Sequence, residues 1–147
     1  MKVKHLFFSM IAAAFLSSAI PVQKNPGIGE SAPRIETIEG INVGYDANSE
    51  GKEKLISFWT PKNAESRISN RNLSLKYGNN ENDIEFVSIC IDSDSELMDQ
   101  VMKIDNVKAD KSFAYSDLSP RVFKDFGVEK SPKAFLISKE GKIKEII

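Results

Sequence analysis

Most protein chemistry is built from thiols, imidazoles and paired carboxylates, and this 147-residue chain has one cysteine, Cys90, and one histidine, His5. Dithiol exchange needs one thiol to attack and a second to resolve, so the chain cannot run it alone. Ser57, Ser66 and Ser69 would need a neighbouring base to become nucleophiles, and none stands near them. Asp92, Asp94, Glu96 and Asp99 crowd one short stretch. They lack the ligand spacing and the glycine of a calcium loop, and they fit better as caps and dipole partners of a helix starting there, with Ser93 and Glu96 at capping-box spacing. Arg67 could hold an anion, or pair with Glu65 or with an acid on an adjacent loop. Cys90 lies in the alternating run Phe86-Val-Ser-Ile-Cys-Ile91 and reads as a small buried hydrophobe rather than an intermolecular thiol.

The elements that must position these groups follow from patterning. Residues 55–59 form a short apolar run ending in Phe58-Trp59, which suits a central strand buried on both faces. Thr60-Pro61 breaks it. Asn63 or Lys62 then caps a helix that carries Ile68, Leu73, Leu75 and Tyr77 and stops at Gly78. Residues 84–91 make a second strand, and a helix with Leu97, Val101 and Ile104 follows. Residues 113–115 read as a short strand. Ser119-Pro120 opens a helix whose Val122, Phe123 and Phe126 face the core, and Gly127 ends it. Residues 134–138 and 142–147 form a hairpin around Glu140-Gly141. Residues 34–40 give at best an edge strand, with 41–45 as its partner, and 46–54 read as a charged loop. The order β, α, β, α, α, β, β requires a crossover first and an antiparallel hairpin last, hence an α/β three-layer sandwich with a mixed sheet.

The first residues stand apart. Met1-Lys-Val-Lys-His5 is basic, the next fifteen or so are apolar and then small, and Ser17 and Ala19 satisfy the small-x-small rule for cleavage after Ala19. This predicts a signal peptide over 1–19, a linker over 20–26 and a domain over 27–147, exported to a periplasmic or secreted location without a lasting membrane anchor. Cleavage would remove His5, and with it Ser–His, Cys–His and His-ligated metal chemistry, so neither a metal nor another cofactor is expected. Twenty basic residues against 21 acidic ones argue against a nucleic-acid partner.

Three motifs resemble the thioredoxin fold and, within it, the exported TlpA/ResA-like thiol-disulfide proteins. They are Ile28-Gly-Glu-Ser-Ala-Pro33, Ile56-Ser-Phe-Trp59, and the run Phe126-Gly-Val-Glu-Lys-Ser-Pro-Lys-Ala-Phe-Leu-Ile-Ser-Lys-Glu-Gly-Lys-Ile143. The resemblance covers about 27–147 and stops short of the family's C-terminal helix. It implies a thioredoxin-like α/β/α sandwich, with the W-C-x-x-C cysteine positions falling on Asn63 and Ser66. The peroxiredoxin pattern also fails, because counting on from Pro61 it meets Glu65 and Ile68. Pro132 matches the family's cis-proline. That match implies either a turn-shaping residue, the plainer reading, or a surviving groove for an extended peptide formed by Trp59, Lys62, Ser131 and Pro132. The chain thus reads as a non-redox module binding a peptide or an envelope protein. The alternatives are a thiol-disulfide protein acting with a partner's cysteine or with Cys90, and a remnant with little activity.

Overall fold

A computed structural model describes residues 24–44, 51–78 and 83–147. The signal peptide predicted over 1–19 and residues 20–23 of the linker lie outside the described residues. Five strands form one sheet: β1 Glu53–Trp59, β2 Ile84–Cys90, β3 Lys111–Phe113, β4 Ala134–Ile137 and β5 Ile143–Ile146. Their spatial order is β3-β2-β1-β4-β5. β1 pairs parallel to β2, and β2 to β3, while β4 runs antiparallel to β1 and to β5. Helices α1 Ala64–Tyr77, α2 Ser95–Ile104 and α3 Pro120–Phe126 complete the three layers.

Alternation along β1 divides the core, as the pleat requires. Ile56 and Phe58 face α3 and pack with Val122, Phe123, Phe126, Phe135 and Ile35. Leu55 faces the other way, with Leu73 of α1 and Phe86. Trp59 shares that side with Cys90 and with Met98 and Val101 of α2. Phe58, Phe126 and Phe135 form a ring cluster with centroids 5.0–6.0 Å apart, the edge-on and tilted geometry that aromatic quadrupoles favour.

The ends of the elements follow local chemistry. Asn63 caps α1 by accepting the Ser66 N–H at 2.8 Å. Asp94, rather than Ser93, caps α2, accepting the Leu97 N–H at 2.9 Å. Ser93 is buried instead, its hydroxyl on Asp92. Gly127 ends α3 in the left-handed region, φ 66°, where glycine is preferred. Gly78 is needed for a different reason. Its φ is −78°, but a Cβ there would collide with the Lys108 and Ser74 carbonyl oxygens.

Several sequence expectations change. Residues 34–45 form no regular hairpin among the described ones, only isolated bridges such as Glu36 to Asn42. The segment before them instead lines the β5 edge, with Gly29 N–H on the Ile143 carbonyl at 2.8 Å and Ala32 N–H on Gly141 at 2.9 Å. Lys54, expected in a loop, is a buried β1 residue. The face of α1 also differs from the apolar pattern. Ile68 and Leu75 are exposed, and the buried residues are Ser66, Asn70, Leu73 and Ser74. Likewise Met98, not Leu97 or Ile104, joins Val101 in burying α2.

Candidate functional site

The carboxyl ends of β1 and β2 and the segment after β3 meet at one end of the sheet, because these three strands run parallel. The turn after Trp59 closes on itself there. Thr60 N–H donates to Ser66 Oγ at 3.1 Å, and that hydroxyl faces the carbonyls of Thr60 and Asn63 at 3.2 and 3.0 Å. Lys62 N–H donates to Thr60 Oγ1 at 3.2 Å. The residues at the two expected cysteine positions, Asn63 and Ser66, therefore satisfy the backbone of their own turn and of the first turn of α1, which otherwise has orphan donors.

Behind the turn lies a buried polar chain. The Trp59 indole N–H donates to Ser88 Oγ at 2.8 Å, and Ser88 reaches Asn70 Oδ1 at 3.3 Å. Further along α1, Ser74 Oγ donates to the Lys108 carbonyl at 2.9 Å and accepts the Lys108 N–H at 2.6 Å. Among the described residues no buried side-chain nitrogen or oxygen lacks a partner, as buried polar groups require. Arg67 grips Asp105 with Nε and Nη2 at 2.9 and 2.6 Å. Its hydrogen bonds to that carboxylate hold the guanidinium's pKa above its ordinary value, against the cost of desolvation. The fork ties α1 to the C-terminus of α2 and leaves the ion-paired reading of Arg67, with an acid on another element.

Of the four residues expected to line a peptide groove, Trp59 and the Ser131–Pro132 segment lie at the same end of the β1–β4 ladder, next to its last pair, Ser57 with Ala134. Trp59 is 1% exposed and spends its one polar atom on Ser88. Lys62 leans toward the β2 side, its ammonium 3.3 Å from Asp92. Ser131 and Pro132 precede β4, on the other side of β1. No described peptide bond is cis, so Ser131–Pro132 is trans, the form favoured for X–Pro by about 0.5–1 kcal/mol. Both readings built on a cis-proline are corrected by this. The chain enters β4 from a trans bond, with the Lys133 carbonyl accepting the Phe58 N–H at 2.9 Å.

Cys90 is fully buried. Burial pushes its thiol pKa up, partly offset by hydrogen bonds from the Asp92 backbone and from Ser93. A thiol so placed is a poor nucleophile. Among the described residues no three His, Cys, Asp or Glu side chains converge to hold a metal ion, and no helix is long and apolar enough to cross a membrane.

A cavity of about 480 Å³ opens at the same end of the sheet. Residues 91–94 form one wall, Tyr115 and Ser116 another, and Phe123 and Glu129 complete it. Tyr115 stacks on Phe123 with centroids 4.7 Å apart and planes at 27°, and remains 42% exposed. The sequence offered a reason for Asp92 and Asp94 in helix capping, and nothing in it joined them to Tyr115 or Glu129, which lie on other segments.

The architecture of strands, turn and α3 can be compared with solved structures. A thioredoxin-like protein from Parabacteroides distasonis superposes with a TM-score of 0.68 at 28% identity, over 83% of this chain and 88% of that one. The chain has a thioredoxin-like fold. The thioredoxin domain of a thiol-disulfide oxidoreductase from Bacteroides vulgatus gives a TM-score of 0.62 at 21% identity, covering 82% and 87%. A thiol:disulfide interchange protein from a Bacteroides species gives 0.61 at 22%, covering 82% and 81%. These two, at lower identity, speak to the fold alone. No protein-family model matches the sequence, and no curated protein does. Within the thioredoxin-like frame, the two positions expected to carry the cysteine pair, four and seven residues after Trp59, hold Asn63 and Ser66.

Proposed function

We propose that this protein is a non-redox binding module of the cell envelope, holding an extended peptide or a partner protein at the end of the sheet where the family's chemistry would lie. One observation carries the reading: the turn that would present a dithiol is closed by Asn63 and Ser66 into its own hydrogen bonds, while the single thiol is sealed in the core. A scaffold that keeps the shape of this face without its nucleophile is suited to contact. Export, and a partner met in the envelope, follow from the signal-peptide pattern of residues 1–19 and from the family resemblance. The alternative, exchange with a partner's cysteine through Cys90, is opposed by the burial of that thiol.

Two measurements test the proposal. Insulin reduction with dithiothreitol should proceed at the uncatalysed rate, and turnover above it overturns the reading. A photo-crosslinker at Ser116, beside the cavity, should capture a specific envelope polypeptide, while the same group at Lys139, at the far end of the sheet, should not. Equal capture at both positions would remove the face from consideration.

A further inference from the structure

We propose that the cavity between β2 and α3 takes the cationic side chain of an arginine carried on an extended polypeptide segment. This rests on the binding-module reading and names the chemistry of what is bound. Three carboxylates line the space, Asp92, Asp94 and Glu129, and neither a lysine nor an arginine does. Tyr115 presents an exposed aromatic ring beside them, held in place by its stack on Phe123. A planar guanidinium can lie on an aromatic face and fork to carboxylates at once, which a compact ammonium does less well. The volume of about 480 Å³ accommodates a side chain together with part of its backbone.

The molecule already contains a partial imitation of the complex. Lys62 reaches Asp92 from the neighbouring turn at 3.3 Å, with most of its own side chain in solvent. One carboxylate of the cavity therefore accepts a cation in the free protein. Asp94 commits one oxygen to the cap of α2, and Glu129 has no hydrogen bond or ion pair among the described residues. An incoming guanidinium meets these last two and the Tyr115 ring, and competes with Lys62 for Asp92.

The test is a chemical-shift titration of the full chain with three blocked pentapeptides, each with glycine around a central arginine, glutamine or glutamate. The arginine peptide should shift the amide signals of Ile91, Ser93, Ser116 and Glu129 saturably, and the other two should not. Glu129→Gln and Tyr115→Leu should each weaken binding about two- to fivefold. Lys62→Gln should strengthen it about twofold by freeing Asp92, a gain that a merely structural disturbance would not produce. Added salt should weaken it throughout. Equal responses to the three peptides, or arginine-dependent shifts elsewhere on the surface, would overturn the inference. Insulin turnover would sink the non-redox reading and leave this one standing. Failure of the arginine peptide would sink this one while a neutral segment remained open as partner.

Discussion

Asn70 is buried to 1% exposure in the middle of α1, where an apolar residue would be expected. Its side-chain oxygen holds Ser88, which in turn holds the Trp59 indole. Asn70→Ala strands Ser88 and opens a hole, and should cost about 1–3 kcal/mol in urea denaturation. Cys90 belongs to the same layer. Ellman's reagent should leave it unmodified in the native protein and react with it at the rate of unfolding. Rapid native labelling would contradict the packing of Trp59, Met98 and Val101 around it. The sequence made the fate of Cys90 legible through strand alternation. It left Asn70 illegible, because a buried amide is recognised only by its partners, and Ser88 lies eighteen residues away.

Helix α1 is held by its ends and by a polar stripe. Removing the cap with Asn63→Ala should cost about 1 kcal/mol, while Asn63→Asp should retain most of it. The Arg67–Asp105 fork joins α1 to α2, and a double-mutant cycle between them should return a coupling of about 1 kcal/mol that shrinks in high salt. Caps and stops such as Asn63, Pro120 and Gly127 were readable, since they obey local rules. The inward face of α1 was not. Ser66, Asn70 and Ser74 recur at intervals of four and turn toward the sheet, while Ile68 and Leu75, which an apolar rule sends inward, stand in solvent. The turn at Asn63 and Ser66 could be located because the Phe58-Trp59 strand fixes the count. The cavity could not, because three segments distant in sequence build it.

Across the whole sheet, a row of charges links three strands. Glu85 on β2 accepts from Lys54 on β1 and, at 2.7 Å, from Lys111 on β3. Burial works most strongly against its ionisation, but hydrogen bonds from Lys111 and Lys54 together outweigh it and hold the carboxyl below its ordinary value of 4.5. A folded-state value below the unfolded one contributes stability that is present above about pH 4.5 and is lost as pH falls through the depressed value. Urea midpoints measured between pH 6 and pH 3 should therefore fall, and Glu85→Gln should flatten that fall while lowering stability at neutral pH, because the buried Lys54 loses its partner carboxylate. An unchanged pH profile would show that the row of charges does not govern acid stability.

Trp59 is the chain's only tryptophan, and it sits beneath α1 and α2 with its indole N–H tethered. Its emission therefore reports on one interface and nothing else. A helix layer that lifts from the sheet lets water reach that ring and moves the spectrum to the red before the aromatic cluster on the opposite face has opened. Comparing tryptophan emission with far-ultraviolet dichroism during denaturation would thus time the departure of one layer against the collapse of the whole.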